Sequence, residues 1–165
     1  MRRFALPTVL VALVAALVLA VPALAAPKDN IVVTAGKAGQ FKTLTALLAQ
    51  AKLVGVLRSG SYTVFAPTDA AFAKVPKATL KKVAADPALL KQVLLYHVVK
   101  GKVPASTVLT LDGKSAQTLA GSKVNVTIRG NRVLLNGTAR VTKTDVMASN
   151  GVIHVINRVL LPPAS

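Results

Sequence analysis

With two histidines, five aspartates and no cysteine or glutamate, this chain of 165 residues has a thin inventory for acid–base, nucleophilic or metal chemistry. Cysteine nucleophiles and glutamate bases are therefore excluded. His97 and His154 both lie in apolar text, LLYHVVK and GVIHVIN. A general base must reach solvent and substrate, whereas an imidazole framed by Val, Ile and Leu ordinarily serves a buried hydrogen bond. Both rings are read as structural. No HxH, HxxxH or HExxH spacing gathers them into a metal site, and there is no GxSxG elbow or phosphate loop. No catalytic residue, metal ligand or cofactor is assigned. The competing reading is a periplasmic ligand-binding or hydrolytic protein with a pocket near His97 or His154, and the exposure of the two rings discriminates between them.

Other short motifs resolve on chemistry. Arg129-Gly130-Asn131 lacks the carboxylate of an Arg-Gly-Asp tripeptide and reads as a hairpin turn. Asn125-Val-Thr127 and Asn136-Gly-Thr138 are formal glycosylation sequons, the second also starting a tight turn.

The strongest signal is charge. Lys and Arg number 21 against five acids. Seven lysines and one acid, Asp86, fall between Lys74 and Lys102. Lys74, Lys77, Lys81 and Lys82 form a candidate basic patch. Such a balance attracts polyanions. The basic residues are not interleaved with aromatics, and an export signal precedes them, so nucleic acid is not expected. Anionic glycans or lipid head groups are the fitting partners, and a merely well-solvated surface is the bland alternative.

The export signal is Arg2 and Arg3, an apolar run from Leu6 to Val21, and Pro22 ahead of Ala23-Leu24-Ala25, a small-x-small cleavage pattern. The expected division is a signal peptide over residues 1–25 and one domain over residues 26–165. Removal of the leader takes the formal charge from +16 to +14. No later run predicts a transmembrane segment, and a secreted or periplasmic monomer is expected.

The elements that must position these residues divide into helices first and strands afterwards, an α+β arrangement. Phe41, Leu44, Leu47 and Leu48 predict a helix across Gly39–Ala51. Tyr62–Ala66 is a strand stopped by Pro67, and Thr68 or Asp69 can cap a short helix over Ala70–Val75. Leu80–Ala84 reads as helical. Asp86-Pro87 starts a further helix with Leu89, Leu90, Val93 and Leu94 inward, and Tyr96–Val99 switches to strand. Val124, Val126 and Ile128 alternate, Gly130-Asn131 fits a type II′ turn, and Val133–Leu135 returns. Ala139–Lys143 follows, then a long strand over Gly151–Leu161, apolar on both faces and therefore central.

Three passages carry a family resemblance: YTVFAPTDAAF at Tyr62–Phe72, LLYHVV at Leu94–Val99, and ASNGVIHVINRVLLP at Ala148–Pro162. In order and spacing they resemble the signature boxes of the fasciclin-like adhesion domain. The likeness covers nearly everything after the first 27 residues. It implies the fasciclin fold, a compact wedge of two small β-sheets with helices packed along one side. It also implies a non-enzymatic adhesion module whose partner is a cell-surface, matrix or envelope component, in the single-domain, signal-bearing plan of bacterial members. Residues around the Tyr96-His97 pair, and Asp145-Val146 followed by Met147, are the partner-binding candidates carried over, with valine where the family pattern has isoleucine. Set beside this is the packing reading, in which Tyr96-His97 braces the helix layer against the sheet and Asp145 caps local N–H groups in a turn.

Overall fold

The computed structural model describes Lys28–Pro163. The expected leader over residues 1–25 lies outside the described residues. Seven α-helices and seven strands follow in chain order: α1 Ile31–Lys37, α2 Lys42–Gln50, α3 Val54–Ser59, β1 Tyr62–Pro67, α4 Asp69–Ala73, α5 Lys77–Ala85 and α6 Pro87–Tyr96. Then come β2 Val98–Lys100, α7 Ala105–Val108 with a 3₁₀ turn at Leu109–Leu111, β3 Ser115–Gln117, β4 Lys123–Arg129, β5 Arg132–Leu135, β6 Ala139–Ala148 and β7 Gly151–Ile156. The α+β arrangement holds.

The strands form one sheet in the order β2-β1-β7-β6-β5-β4-β3. β7 pairs in parallel with β1 and antiparallel with β6, and all six of its residues are buried. This is the central strand that its two-sided apolar text requires. The expected two sheets are two walls of this one sheet. They meet at β6, where two register shifts break the ladder with β7. A bulge bends its strand and raises its twist, so β6 belongs to both walls. The fold nearly closes on itself, because a bridge between Val99 and Thr118 joins its two edges, as does the Leu119 N–H on the Val98 carbonyl at 2.9 Å.

Alternation along the central strands separates two cores. Val64, Ala66, Ile153 and Val155 face the helices, packing with Leu44, Leu57, Leu90 and Leu94. Phe65 and Ile156 face the interior of the curled sheet, with Tyr96, Val124, Val126 and Leu135.

Several boundaries differ from the sequence expectation. α1 goes unpredicted because IVVTAGK is β-branched and contains glycine, a poor intrinsic helix. It is held instead by burial of Ile31 and Ala35 and by the Asn30 cap on the Val33 N–H. Gly39, at φ 72°, ends that unit, so α2 starts later than Gly39. Tyr96 closes α6 and His97 is its C-cap, where strand was expected. β6 runs on to Ala148 rather than stopping at Lys143. β7 stops at Ile156, short of Leu161, because the chain peels away and the Leu160 N–H bonds an imidazole instead of a strand.

Candidate functional site

The Tyr-His pair sits where the two cores meet. Tyr96 and His97 are 1% and 2% exposed, and as consecutive residues at the end of α6 they turn to opposite sides. The Tyr96 hydroxyl donates to the Lys123 carbonyl at 3.0 Å and accepts from Asn136 Nδ2 at 2.9 Å, which ties α6 to the β4–β5–β6 hairpins. His97 Nε2 accepts the Leu160 N–H at 2.8 Å, so its proton lies on Nδ1, which donates to the Val93 carbonyl at 2.7 Å. Desolvation pushes the His97 pKa down to about 4, against a weaker upward pull from the Val93 hydrogen bond. The ring is neutral at physiological pH.

His154 has the opposite tautomer. Its Nε2 contacts the Val103 carbonyl at 2.7 Å and must carry the proton there, while Nδ1 accepts from the Asp145 N–H at 3.4 Å. The ring is 1% exposed and stacks on Phe65, centroids 5.7 Å apart. Both imidazoles are thus buried with both nitrogens engaged by backbone. Neither imidazole is free to act as the base of a hydrolytic pocket at His97 or His154.

Asp145 lies within a bulge of β6, not in a turn. Thr144 and Asp145 together stand opposite His154, and Asp145 adopts φ 56°, a left-handed conformation that Asp tolerates better than most residues. Its Oδ1 accepts the Ala105 N–H at 2.8 Å. The backbone groups it serves belong to α7, forty residues away in sequence. Val146 is half-buried at the edge of the helix-side core, whereas Met147 is 49% exposed. Of the five partner-binding candidates, Asp145 and Met147 present surface, and Tyr96 and His97 do not.

The capping pair divides its work. Thr68 Oγ1 accepts the Ala71 N–H at 3.2 Å and caps α4. Asp69 caps a different helix: Oδ1 takes the Thr43 N–H at 2.8 Å and Oδ2 the Lys42 N–H at 3.4 Å, both in the first turn of α2. Phe41, at the N-cap of α2, has no side-chain oxygen to do this. The Thr43 backbone hydrogen bond is the main reason the Asp69 carboxyl titrates below its usual range.

All five acids have internal partners. Asp86 caps α6 through the Ala88 and Leu89 N–H groups, and Asp112 accepts the Ile128 N–H at 2.7 Å. Asp29 pairs with Lys37 at 2.7 Å, the one ion pair among the described residues. Lys74, Lys77, Lys81 and Lys82 are all exposed, and of these the Lys74 ammonium reaches the Asn157 carbonyl at 3.2 Å.

Two further residues carry the site without having been singled out in the sequence. Asn150 donates to the Leu57 and Gly60 carbonyls at 2.6 and 2.8 Å and accepts the Ile31 N–H at 3.0 Å. At Gly151 an added Cβ would lie 1.9 Å from the Tyr62 carbonyl oxygen and 2.6 Å from Ile31 Cδ1. The available signal was the Asn-Gly pair at the head of the last box. The sequons also separate: Asn136 is held by Tyr96, while Asn125 is exposed.

Comparison with known proteins follows this geometry. The Fasciclin domain family model matches residues 39–162. The chain is 41% identical over 143 residues to the immunogenic protein MPB70 of Mycobacterium bovis, covering 83% of this chain and 71% of that protein. It is 43% identical over 126 residues to protein sll1483 of Synechocystis, covering 74% and 68%. Against the transforming growth factor-beta-induced protein ig-h3 of Sus scrofa it is 36% identical over 126 residues, 76% of this chain but 18% of that protein. In three dimensions it resembles a FAS1 domain pair from the insect cell adhesion molecule Fasciclin I, with TM-score 0.59 and 21% identity, over 78% of this chain and 47% of that one. That likeness bears on fold alone.

Proposed function

The chain belongs to the fasciclin domain family, and from that premise we propose that it is an exported, non-enzymatic adhesion module that binds anionic polymers of a cell surface, matrix or envelope. A relative named as a cell surface glycolipoprotein, 35% identical over 142 residues, supports a role at a cell surface. No helix among the described residues is long and apolar enough to cross a membrane.

The observation that carries the reading is the use of the acids. Four of the five Asp accept backbone N–H groups and the fifth pairs with Lys37. They keep their charges, but five carboxylates against 21 Lys and Arg leave a large positive surplus to external anions. The α5 face, with Lys77, Lys81 and Lys82 exposed and a single fully buried residue, Val83, is the densest such surface in the sequence order. Asp145, Val146 and Met147 are the second surface this reading offers to a partner. Tyr96 and His97 contribute by holding α6 in place.

The experiment is binding of residues 26–165 to an immobilised anionic polysaccharide across salt. Binding at low ionic strength, largely lost in molar salt, is expected. Charge reversal of Lys77, Lys81 and Lys82 should weaken it more than reversal of Arg129, Arg132 and Arg140. Equal behaviour of the two triple variants would show net charge acting rather than a site. Absence of binding at low salt would sink the proposal.

A further inference from the structure

Under the C-terminal segment the helix-side core contains a cavity of about 160 Å³. Its walls come from α2, α4, α5 and α6, with Leu47, Phe72, Leu80 and Val93 among them, and Leu161 lies across it. Three of its lining residues carry polar side chains, Thr43, Thr79 and His97. His97 has both ring nitrogens engaged, and no buried side-chain polar atom among the described residues lacks a partner. The cavity therefore accepts hydrocarbon and offers nothing to a polar group. An apolar cavity of this size excludes water and accommodates about the volume of benzene.

The exits differ in kind from the interior. Leu161 is 45% exposed and borders the cavity and two flanking grooves. One groove carries Lys82 and Gln92, the other Lys74 and Arg158, and no acid lines the cavity or either groove. A dry apolar chamber with cationic margins is complementary to a molecule with a hydrocarbon end and an anionic end. α5, whose one buried residue is Val83, forms the wall between the cavity and the Lys82 groove.

We infer that this cavity binds the end of the tail of a fatty-acid anion, with the chain passing Leu161 and the carboxylate held outside in one of the two flanking grooves, by Lys82 or by Lys74 and Arg158. The inference does not depend on the adhesion reading, since it concerns a single small molecule in the core rather than a polymer on the surface.

The test titrates residues 26–165 with decanoate below its micelle concentration and with decanol below its solubility limit, in physiological salt. The methyl resonances of Leu90, Val93 and Leu94 and the melting temperature are followed. Decanoate is expected to saturate at one molecule per chain, to move these methyls and to raise the melting temperature. Decanol should bind about threefold to fivefold more weakly, the size of an exposed charge pair. Decanoate should weaken comparably on the double variant Lys82→Glu/Arg158→Glu, whose side chains are exposed and whose fold should persist. Thr79→Trp, half-buried where the cavity meets the Lys82 groove, should abolish saturable binding. The wild-type methyl shifts decide the matter even if that variant does not fold. Decanoate that leaves those methyls unmoved, or adds in several copies per chain, is adsorbed to the surface and overturns the inference. Equal affinity of decanol, or no effect of the double variant, overturns it too.

Discussion

The two cores on either side of β1 and β7 are held by different means. On the helical side most backbone hydrogen bonds are made within each helix, side chains such as Asn150 and Asp69 serve only helix ends, and the buried packing is apolar. Inside the curled sheet, Gly101–Pro104 is irregular chain, among whose N–H groups that of Gly101 alone bonds backbone, at the Ser61 carbonyl. Side chains supply further partners. Thr63 donates to the Gly101 carbonyl and accepts the Val103 N–H, His154 donates to the Val103 carbonyl, and Asp145 accepts the Ala105 N–H. Buried backbone must find partners, so polar residues are needed where secondary structure is absent. A core sealed by a loop demands side chains in set positions. One sealed by helices tolerates loose fit, and the cavity lies there.

The comparison breaks most completely at the strand both cores share. Gly151→Ala would drive a methyl into the Tyr62 carbonyl and Ile31, forcing β1 and β7 apart. A loss exceeding about 4 kcal/mol, or failure to fold, is expected in denaturant melts. A mild phenotype would show that the β1–β7 contact can relax.

The histidines come next. His97→Ala and His154→Ala should each cost on the order of 2–4 kcal/mol through cavity and orphaned backbone partners. Hydrogen exchange should separate them: His154→Ala should loosen Gly101–Val108, and His97→Ala the Leu160 amide. Wild-type melting of both variants would refute their bracing role. His97 also predicts a pH dependence. Its folded pKa of about 4 lies below the ordinary 6.5, so the unfolded chain protonates first as pH falls. This contribution is complete above pH 6.5 and is lost down to about pH 4, on the order of 3 kcal/mol. His97→Gln should flatten the stability profile in that window, and an unchanged slope would count against it.

Smaller effects test the packing contrast itself. One extra methylene at Val126, 1% exposed in the sheet interior and bordering no cavity, should cost about 1–3 kcal/mol as Val126→Ile. The same change beside the cavity, Val93→Ile, should be neutral or stabilising by up to about 1 kcal/mol. Equal losses would erase the distinction between the cores. The caps are the smallest: Thr68→Ala and Asp69→Ala should each cost about 1 kcal/mol. Exchange protection should fall in α4 for the first and in α2 for the second.

Much of this was legible in local text. Pro67, Pro76 and Asp86-Pro87 mark real boundaries because proline and capping oxygens act within a few residues. Thr68 was found for the same reason, and Gly130-Asn131 joins Arg129 to Arg132 with positive φ at the glycine alone. The end of α6 was misread although its signal was present: His97 follows Leu90 by seven residues and Val93 by four, continuing the buried stripe. α1 left only the Asn30 cap as local evidence, since the rest of its stability comes from Asn150 and from burial.

Burial of both histidines followed from their apolar neighbours, because an imidazole among Val, Ile and Leu has nowhere else to go. The charge surplus and the three boxes were likewise properties of the chain as written. Tertiary structure alone decided which distant groups each polar side chain would serve. Asp69 reaches α2, Asp145 reaches α7 and His97 reaches Leu160. Sequence limits what a side chain can donate or accept, but its partner is set by which unpaired backbone the folded chain brings within about 3 Å.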